Sequence, residues 1–159
     1  MTLEIHGMIG HLIRRLNQIS VSVFQDRMRA EGYDLTQVQY AAMAALAHHP
    51  GVDQATLAGL IAYDRATMGS VLERLVERGW VDRRVSERDR RARELFLTSE
   101  GTALIEAVSP MVREIQGLIV DGLDTREQAE FLRLAAKLAD AGNTRSRVPL
   151  IVPETYSAA

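Results

Sequence analysis

The stretch Asp64–Thr98, DRATMGSVLERLVERGWVDRRVSERDRRARELFLT, decides how the whole chain is read. It divides into a helix, a short strand, an arginine-rich tip and a return strand. Asp64 suits a helix start, because its carboxylate can accept bonds from the first free amides. Gly79 suits the end, where a left-handed residue costs little. Between them Met68, Val71, Leu72, Leu75 and Val76 recur at helical spacing and form one apolar face. Arg65, Ala66, Thr67, Gly69, Ser70 and Arg74 lie largely off that face. Small and polar side chains there let a helix approach a groove closely.

After Gly79 the pattern becomes strand-like over Trp80–Val85 and again over Arg93–Thr98. The intervening SERDRRA is too polar to bury. Arg83, Arg84, Arg88, Arg90, Arg91 and Arg93 face only Glu87, Asp89 and Glu94. A helix beside a basic hairpin suits duplex DNA, with the helix in the major groove and the tip on phosphates or in the minor groove. The competing interpretation is a solvated hairpin beside an ordinary core helix, since charge runs are commonly solvated faces.

Working outward, the chain of 159 residues suits one domain, or one small domain with dimerisation arms. Its net charge of −2 means that a nucleic-acid site must come from local segregation of charge. Arg83–Arg93 is basic and Asp121–Glu130 acidic, so that segregation is present. Lys137 is the only lysine. Arginine favours bidentate contacts to phosphate and guanine. The absence of cysteine excludes disulfides, thiol redox sensing and thiolate zinc sites in this chain. No apolar run approaches the roughly 18 residues of a membrane span, and no signal peptide is evident. The expected compartment is the cytoplasm, with no membrane association.

Upstream, Leu3–Arg29 is expected as one long helix. Ile5, Ile9, Leu12, Leu16, Ile19 and Val23 alternate four and three residues apart, a seam suited to side-by-side helix packing. Gly32–Asp34 breaks it. Thr36 and Gln39 form a capping box for a second helix. His48–Gly51, HHPG, ends that helix, and Asp53 caps a third over Gln54–Ala62. Two short helices joined by a tight turn are the elements of a helix-turn-helix. The basic hairpin that follows makes it a winged helix. Downstream, Thr98 caps a fifth helix, Ser99–Val120, which Pro110 is expected to kink. Asp124 and Glu127 open a sixth, to about Asp140. The predicted fold is mainly α with a small β-wing. Residues 1–30 and 99–140 form a helical dimerisation region, and 31–98 the winged helix-turn-helix. Residues 141–159 form a tail expected to be mobile, with Val148, Leu150, Ile151 and Val152 apolar enough to dock, for instance on a partner subunit.

With these elements in place, the chain resembles MarR-family transcriptional regulators over roughly residues 5–140. The motif D-x-R followed by strand residues and L-T is present as Asp89, Arg91, Leu95, Leu97 and Thr98. The stretches LTQVQYAAMAAL, DRAT and LVERGWV also match. The resemblance implies a triangular homodimer of winged helices on a pseudo-palindromic double-stranded DNA operator. It also implies a repressor released by a small, often aromatic anion. It places Ala66, Thr67, Gly69 and Ser70 at the major groove and Arg91 in the minor groove, with Asp89 orienting Arg88, Arg90 and Arg91. Arg65 and Arg74 become phosphate or structural contacts. Many relatives carry arginine where this chain has Ser70, which shifts expected specificity toward DNA shape and the wing. The peroxide-sensing subclass needs a cysteine and is excluded.

The resemblance also puts an effector pocket between the first, second and fifth helices. On a helical wheel Met8 and Arg15 border the seam on one side, His6 and Ile13 on the other. Arg15 can pair a carboxylate through two parallel bonds. His11 or His6 can assist, and Tyr40, Met43 and Met111 can supply walls. The expected effector is an aromatic or heteroaromatic carboxylate, as in regulators of aromatic-acid and hydroxynicotinate-type breakdown. Each of these residues also has an ordinary structural role open to it, and Met8 and Met43 have core spacing. A metal-responsive regulator is the alternative, but His6, His11, His48 and His49 lack metal-ligand spacing. A winged-helix protein-interaction module is a further option. No cofactor or catalytic motif is present: there is no phosphate loop, HExxH or GxSxG.

Overall fold

The computed structural model describes residues 3–86 and 91–151. In chain order the elements are α1 (Ile9–Ala30), α2 (Gln37–His48), α3 (Gln54–Leu60), α4 (Arg65–Glu77), β1 (Val81–Val85), β2 (Arg93–Leu97), α5 (Ser99–Ile119) and α6 (Thr125–Gly142). The expected single helix from Leu3 is broken. Glu4–Gly7 forms a separate 3-10 turn, and Met8 is extended at φ −79° and ψ 134° before α1 starts. Gly7 and Gly10 flank the break, and glycine is a poor helix former. The break brings the His6 and His11 rings to 5.4 Å, which five-residue spacing on a continuous helix would not favour.

The remaining helix starts follow from local capping. Thr36 accepts from the Gln39 amide while the Gln39 side chain accepts from the Thr36 amide, closing the capping box of α2. Asp53 caps α3 and Asp64 caps α4. Asp124 and Glu127 form the box that opens α6. α3 ends at Leu60 rather than Ala62, which sits at φ 50° in the turn toward α4. α5 runs through Pro110 as one helix.

β1 and β2 pair antiparallel, with Val81 opposite Leu97 and Val85 opposite Arg93. Gly51 and Val52, between α2 and α3, add a short extended contact. The Gly51 amide donates to the Leu95 carbonyl at 2.8 Å, and the Leu95 amide to Val52 at 3.0 Å. The hairpin is thereby fixed to the helix-turn-helix. Thr98 fixes it to α5: its hydroxyl donates to the Gly79 carbonyl and accepts from the Gly101 amide. Gly101 is essential to this junction, since a Cβ there would stand 2.1 Å from the Trp80 carbonyl oxygen.

One core joins these elements. Phe24 and Met28 of α1, Met43 and Leu46 of α2, Leu57 of α3, Met68, Leu72 and Leu75 of α4, Leu95 of β2, and Val108 and Ile115 of α5 are all buried. Arg27 of α1 ties α5 from outside, pairing with Glu114 at 3.1 Å. α6 has no buried residue. Beyond it, Asn143–Arg145 forms a 3-10 turn, and the last described residue of the tail, Ile151, reaches α3 of its own chain. There the Ile151 amide donates to the Gly59 carbonyl at 2.9 Å.

Candidate nucleic-acid interface and ligand site

α4 is amphipathic in the sense the sequence requires. Met68, Val71, Leu72 and Leu75 face the core, but Val76, expected with them, is exposed at the end of the helix, as are Arg65, Ala66, Thr67, Ser70 and Arg74 on the outer face. Gly69 is partly covered, and a Cβ there would meet the Gln54 side chain at 3.5 Å, an ordinary contact. Gln54 thus reaches from the start of α3 toward the outer face of α4, a neighbour that spacing along the chain does not reveal. Thr67 donates its hydroxyl to the Asp64 carboxylate at 3.0 Å, and Ser70 donates to the Thr67 carbonyl at 2.9 Å. Both hydroxyls are therefore oriented by the first turn of the helix. The hydrogen bonds from the Thr67 hydroxyl and amide hold the Asp64 carboxyl below its ordinary range. Asp53 is held down chiefly by the Thr56 amide. Both caps are carboxylates at neutral pH.

In the hairpin, Arg83 and Arg91 are exposed. Arg84 is engaged: its guanidinium lies 4.6 Å from the Phe96 ring centroid and 3.2 Å from Asp82. That residue stiffens the stem of the wing. Arg88, Asp89 and Arg90, expected at the tip, lie outside the described residues.

The residues expected to hold an effector fall into two groups. Tyr40, Met43 and Met111 sit where α1, α2 and α5 meet. Tyr40 packs its ring 6.1 Å from Phe24 and donates its hydroxyl to Ser109 at 3.3 Å. Met43 is fully buried in the core, and Met111 packs at its edge. Met8, His11 and Arg15 lie instead on the first two turns of α1 and just before it. Arg15 lines a shallow cleft of about 300 Å³ with Gln18, Ile19, Ser22, Val23 and Asp26. It precedes Phe24, the neighbour of Tyr40, by nine residues, about 13 Å of helix rise. Met8 is exposed, and His11 lies 3.4 Å from the Arg14 guanidinium. Among the described residues no three His, Cys, Asp or Glu side chains converge as metal ligands.

A family model for the MarR family matches residues 33–92, from the loop before α2 to the start of the return strand. The HTH-type transcriptional repressor NicR of Pseudomonas putida is 33% identical over 138 residues, covering 87% of this chain and 86% of NicR. The chain belongs to the MarR family. Two solved structures of MarR-type regulators share its architecture. PcaV from Streptomyces coelicolor, in complex with its natural ligand, superposes with a TM-score of 0.78 at 30% identity, over 89% of this chain and 99% of PcaV. BpsR from Bordetella bronchiseptica, whose DNA binding is regulated by 6-hydroxynicotinic acid, superposes with a TM-score of 0.79 at 28% identity, over 88% and 99% of the two chains. The chain is thus a MarR-type winged-helix transcriptional regulator and not an enzyme, as its motifs led one to expect. No helix among the described residues is long and apolar enough to cross a membrane.

Proposed function

We propose that this MarR-family regulator is a homodimeric repressor. It binds a pseudo-palindromic operator through α4 and the wing, and a small aromatic or heteroaromatic acid releases it. The observation that carries the DNA reading is the outer face of α4. Arg65 and Arg74 bracket Ala66, Thr67, Gly69 and Ser70, with the hydroxyls already oriented. Arg91 and the tip residues Arg88, Asp89 and Arg90 supply the second contact in this reading. Homodimerisation is supported by apolar side chains of α1 and α6 that the subunit leaves uncovered, including Leu12, Leu16, Phe131, Leu134 and Leu138. They line an open groove of about 490 Å³.

The effector reading rests on the likeness to NicR and BpsR, and on Arg15 as a cation at the border of an apolar stripe. The carboxylate would pair with Arg15, with His11 beside it. The ring would lie in the cleft beside Arg15, toward Ile19 and Val23, while Tyr40, Met43 and Met111 serve the core. Pairing of subunits over the exposed half of α1 would finish that pocket. Titration of a fluorescent duplex from the regulator's own promoter tests the DNA step. Affinity should fall steeply with salt, and Arg91→Ala should weaken it and reduce the salt slope. Unchanged affinity and slope would remove the wing from the account. A thermal-shift screen of aromatic acids, 6-hydroxynicotinate included, tests the effector. Arg15→Ala should leave DNA binding intact and abolish release; persistent release would move the carboxylate site elsewhere.

A further inference from the structure

The segment that follows α6 is folded onto the helix-turn-helix in a way that DNA recognition by α4 and the wing does not use. Asn143 closes it into a loop. Its side-chain amide donates to the Leu150 carbonyl at 3.0 Å, and its side-chain oxygen accepts from the Leu150 amide at 2.7 Å. Ile151 then pins the loop to α3. Besides its amide bond to the Gly59 carbonyl, its side chain fills the space next to the glycine: a Cβ on Gly59 would stand 2.4 Å from the Ile151 Cδ1. Gly59 is buried, and the Ile151 side chain occupies the space that a side chain at that position would take.

Two arginines ride on this loop. Arg145 and Arg147 are exposed, and neither is in an ion pair among the described residues. The anchor at Gly59 sets the loop near the end of α3, where the chain turns into α4, and Arg147 adds the smallest of the attractions that lower the Asp64 carboxyl. Asp64 is needed there as the cap, yet its carboxylate would repel a phosphate at the mouth of the groove. A guanidinium carried on the loop counters part of that repulsion and is a donor that reaches phosphate bidentately.

We propose that residues 143–151 form a DNA-contacting arm, in which Arg145 and Arg147, held against α3 by Ile151 and Gly59, bind backbone phosphates flanking the groove that α4 enters. This rests on the reading of α4 as the recognition helix. The arm contributes affinity and salt dependence, not base discrimination, because phosphate contacts carry no sequence information directly.

The test is anisotropy titration of full-length protein against an operator duplex and a scrambled duplex, across a range of salt. Arg145→Ala with Arg147→Ala should weaken binding to both duplexes by similar factors. It should also reduce the slope of log K against log salt by about 0.9 for each phosphate released. Ile151→Asp keeps both arginines but puts a charge against Gly59; it should give the same reduction by freeing the arm. Unchanged or tighter binding by the double variant would overturn the arm, as would an Ile151→Asp protein with the wild-type slope. Wild-type protein that binds no duplex at any salt would overturn the regulator reading and the arm with it. If Arg91→Ala weakens binding as expected while the arm variants bind as wild type, the reading of α4 and the wing stands and the arm falls.

Discussion

The winged unit and the terminal helices draw on the same kind of apolar spacing, yet one is closed within the subunit and the other is open. In α4, Leu72 and Leu75 are fully buried between α2, α3 and the hairpin. In α6, Leu132 is 64% exposed and Leu138 61% exposed. Along α1 the change occurs within one helix. Phe24 and Met28 are buried, whereas Ile9, Leu12 and Leu16 face out. α6 has no buried residue, and helices in proteins draw most of their stability from packing an apolar face. The winged unit therefore shares a closed core with α5 and the second half of α1, whereas α6 and the first half of α1 keep an open apolar face. This difference separates what each part needs in order to fold.

The largest expected effect comes from attacking the open half. Leu138→Glu places a charge on an exposed position, so the subunit loses no buried contact. If α1 and α6 pair two copies, sedimentation should show monomers. Operator affinity should then drop by about 10²–10⁴-fold, the gain that linked binding gives. A dimer of unchanged affinity would place the interface elsewhere. Attacking the closed half should behave differently. Leu72→Ala should cost about 2–5 kcal/mol of stability in urea unfolding, the usual range for a truncated buried leucine. It should not alter subunit pairing under native conditions.

The seam between the halves gives a smaller and more local effect. Gly101 starts α5 directly against the base of the wing, and Trp80 leaves no room for a methyl group. Gly101→Ala should cost about 1–3 kcal/mol through overpacking. It should also displace the hairpin relative to α5, lowering DNA affinity more than unfolding stability accounts for. Thr36→Ala removes one half of the capping box of α2 and should cost about 1 kcal/mol, with DNA affinity unchanged.

What the sequence disclosed and what it withheld follow the same division. Every cap read from it (Thr36, Asp53, Asp64, Thr98 and Asp124) is a contact between residues two or three apart, so the chain itself carries the information. The core face of α4 was legible for the same reason. The break at Met8 was not, because Ile5 and Ile9 keep the seam's spacing across it and only Gly7 and Gly10 hint at a weak point. The seating of Ile151 on Gly59 joins residues 92 positions apart, and no pattern announces such a contact. The candidate ligand residues were legible as types but not as a cluster. Tyr40, Met43 and Met111 belong to the closed half, and Met8, His11 and Arg15 to the open one.

Acid should distinguish the two halves by the smallest of these effects. Asp53 and Asp64 have carboxyl groups held below their ordinary value by amide and hydroxyl donors of α3 and α4. A carboxyl depressed in the folded state binds its proton more readily when the chain is unfolded. Its contribution is therefore complete above the usual carboxylate range and is lost as pH falls through the lowered folded-state value. Asp53→Asn with Asp64→Asn keeps an acceptor at both caps, since asparagine caps nearly as well as aspartate, but removes the titration. Near neutral pH the double variant should lose little stability. Below about pH 4 its stability should decline less steeply than the wild type's, measured by urea unfolding at a series of pH values. Equal slopes in the two proteins would mean that the caps do not set the acid limit of the winged unit. Glu100, held down at the start of α5 by its own amide and the Ser99 hydroxyl, would then be the next carboxylate to replace.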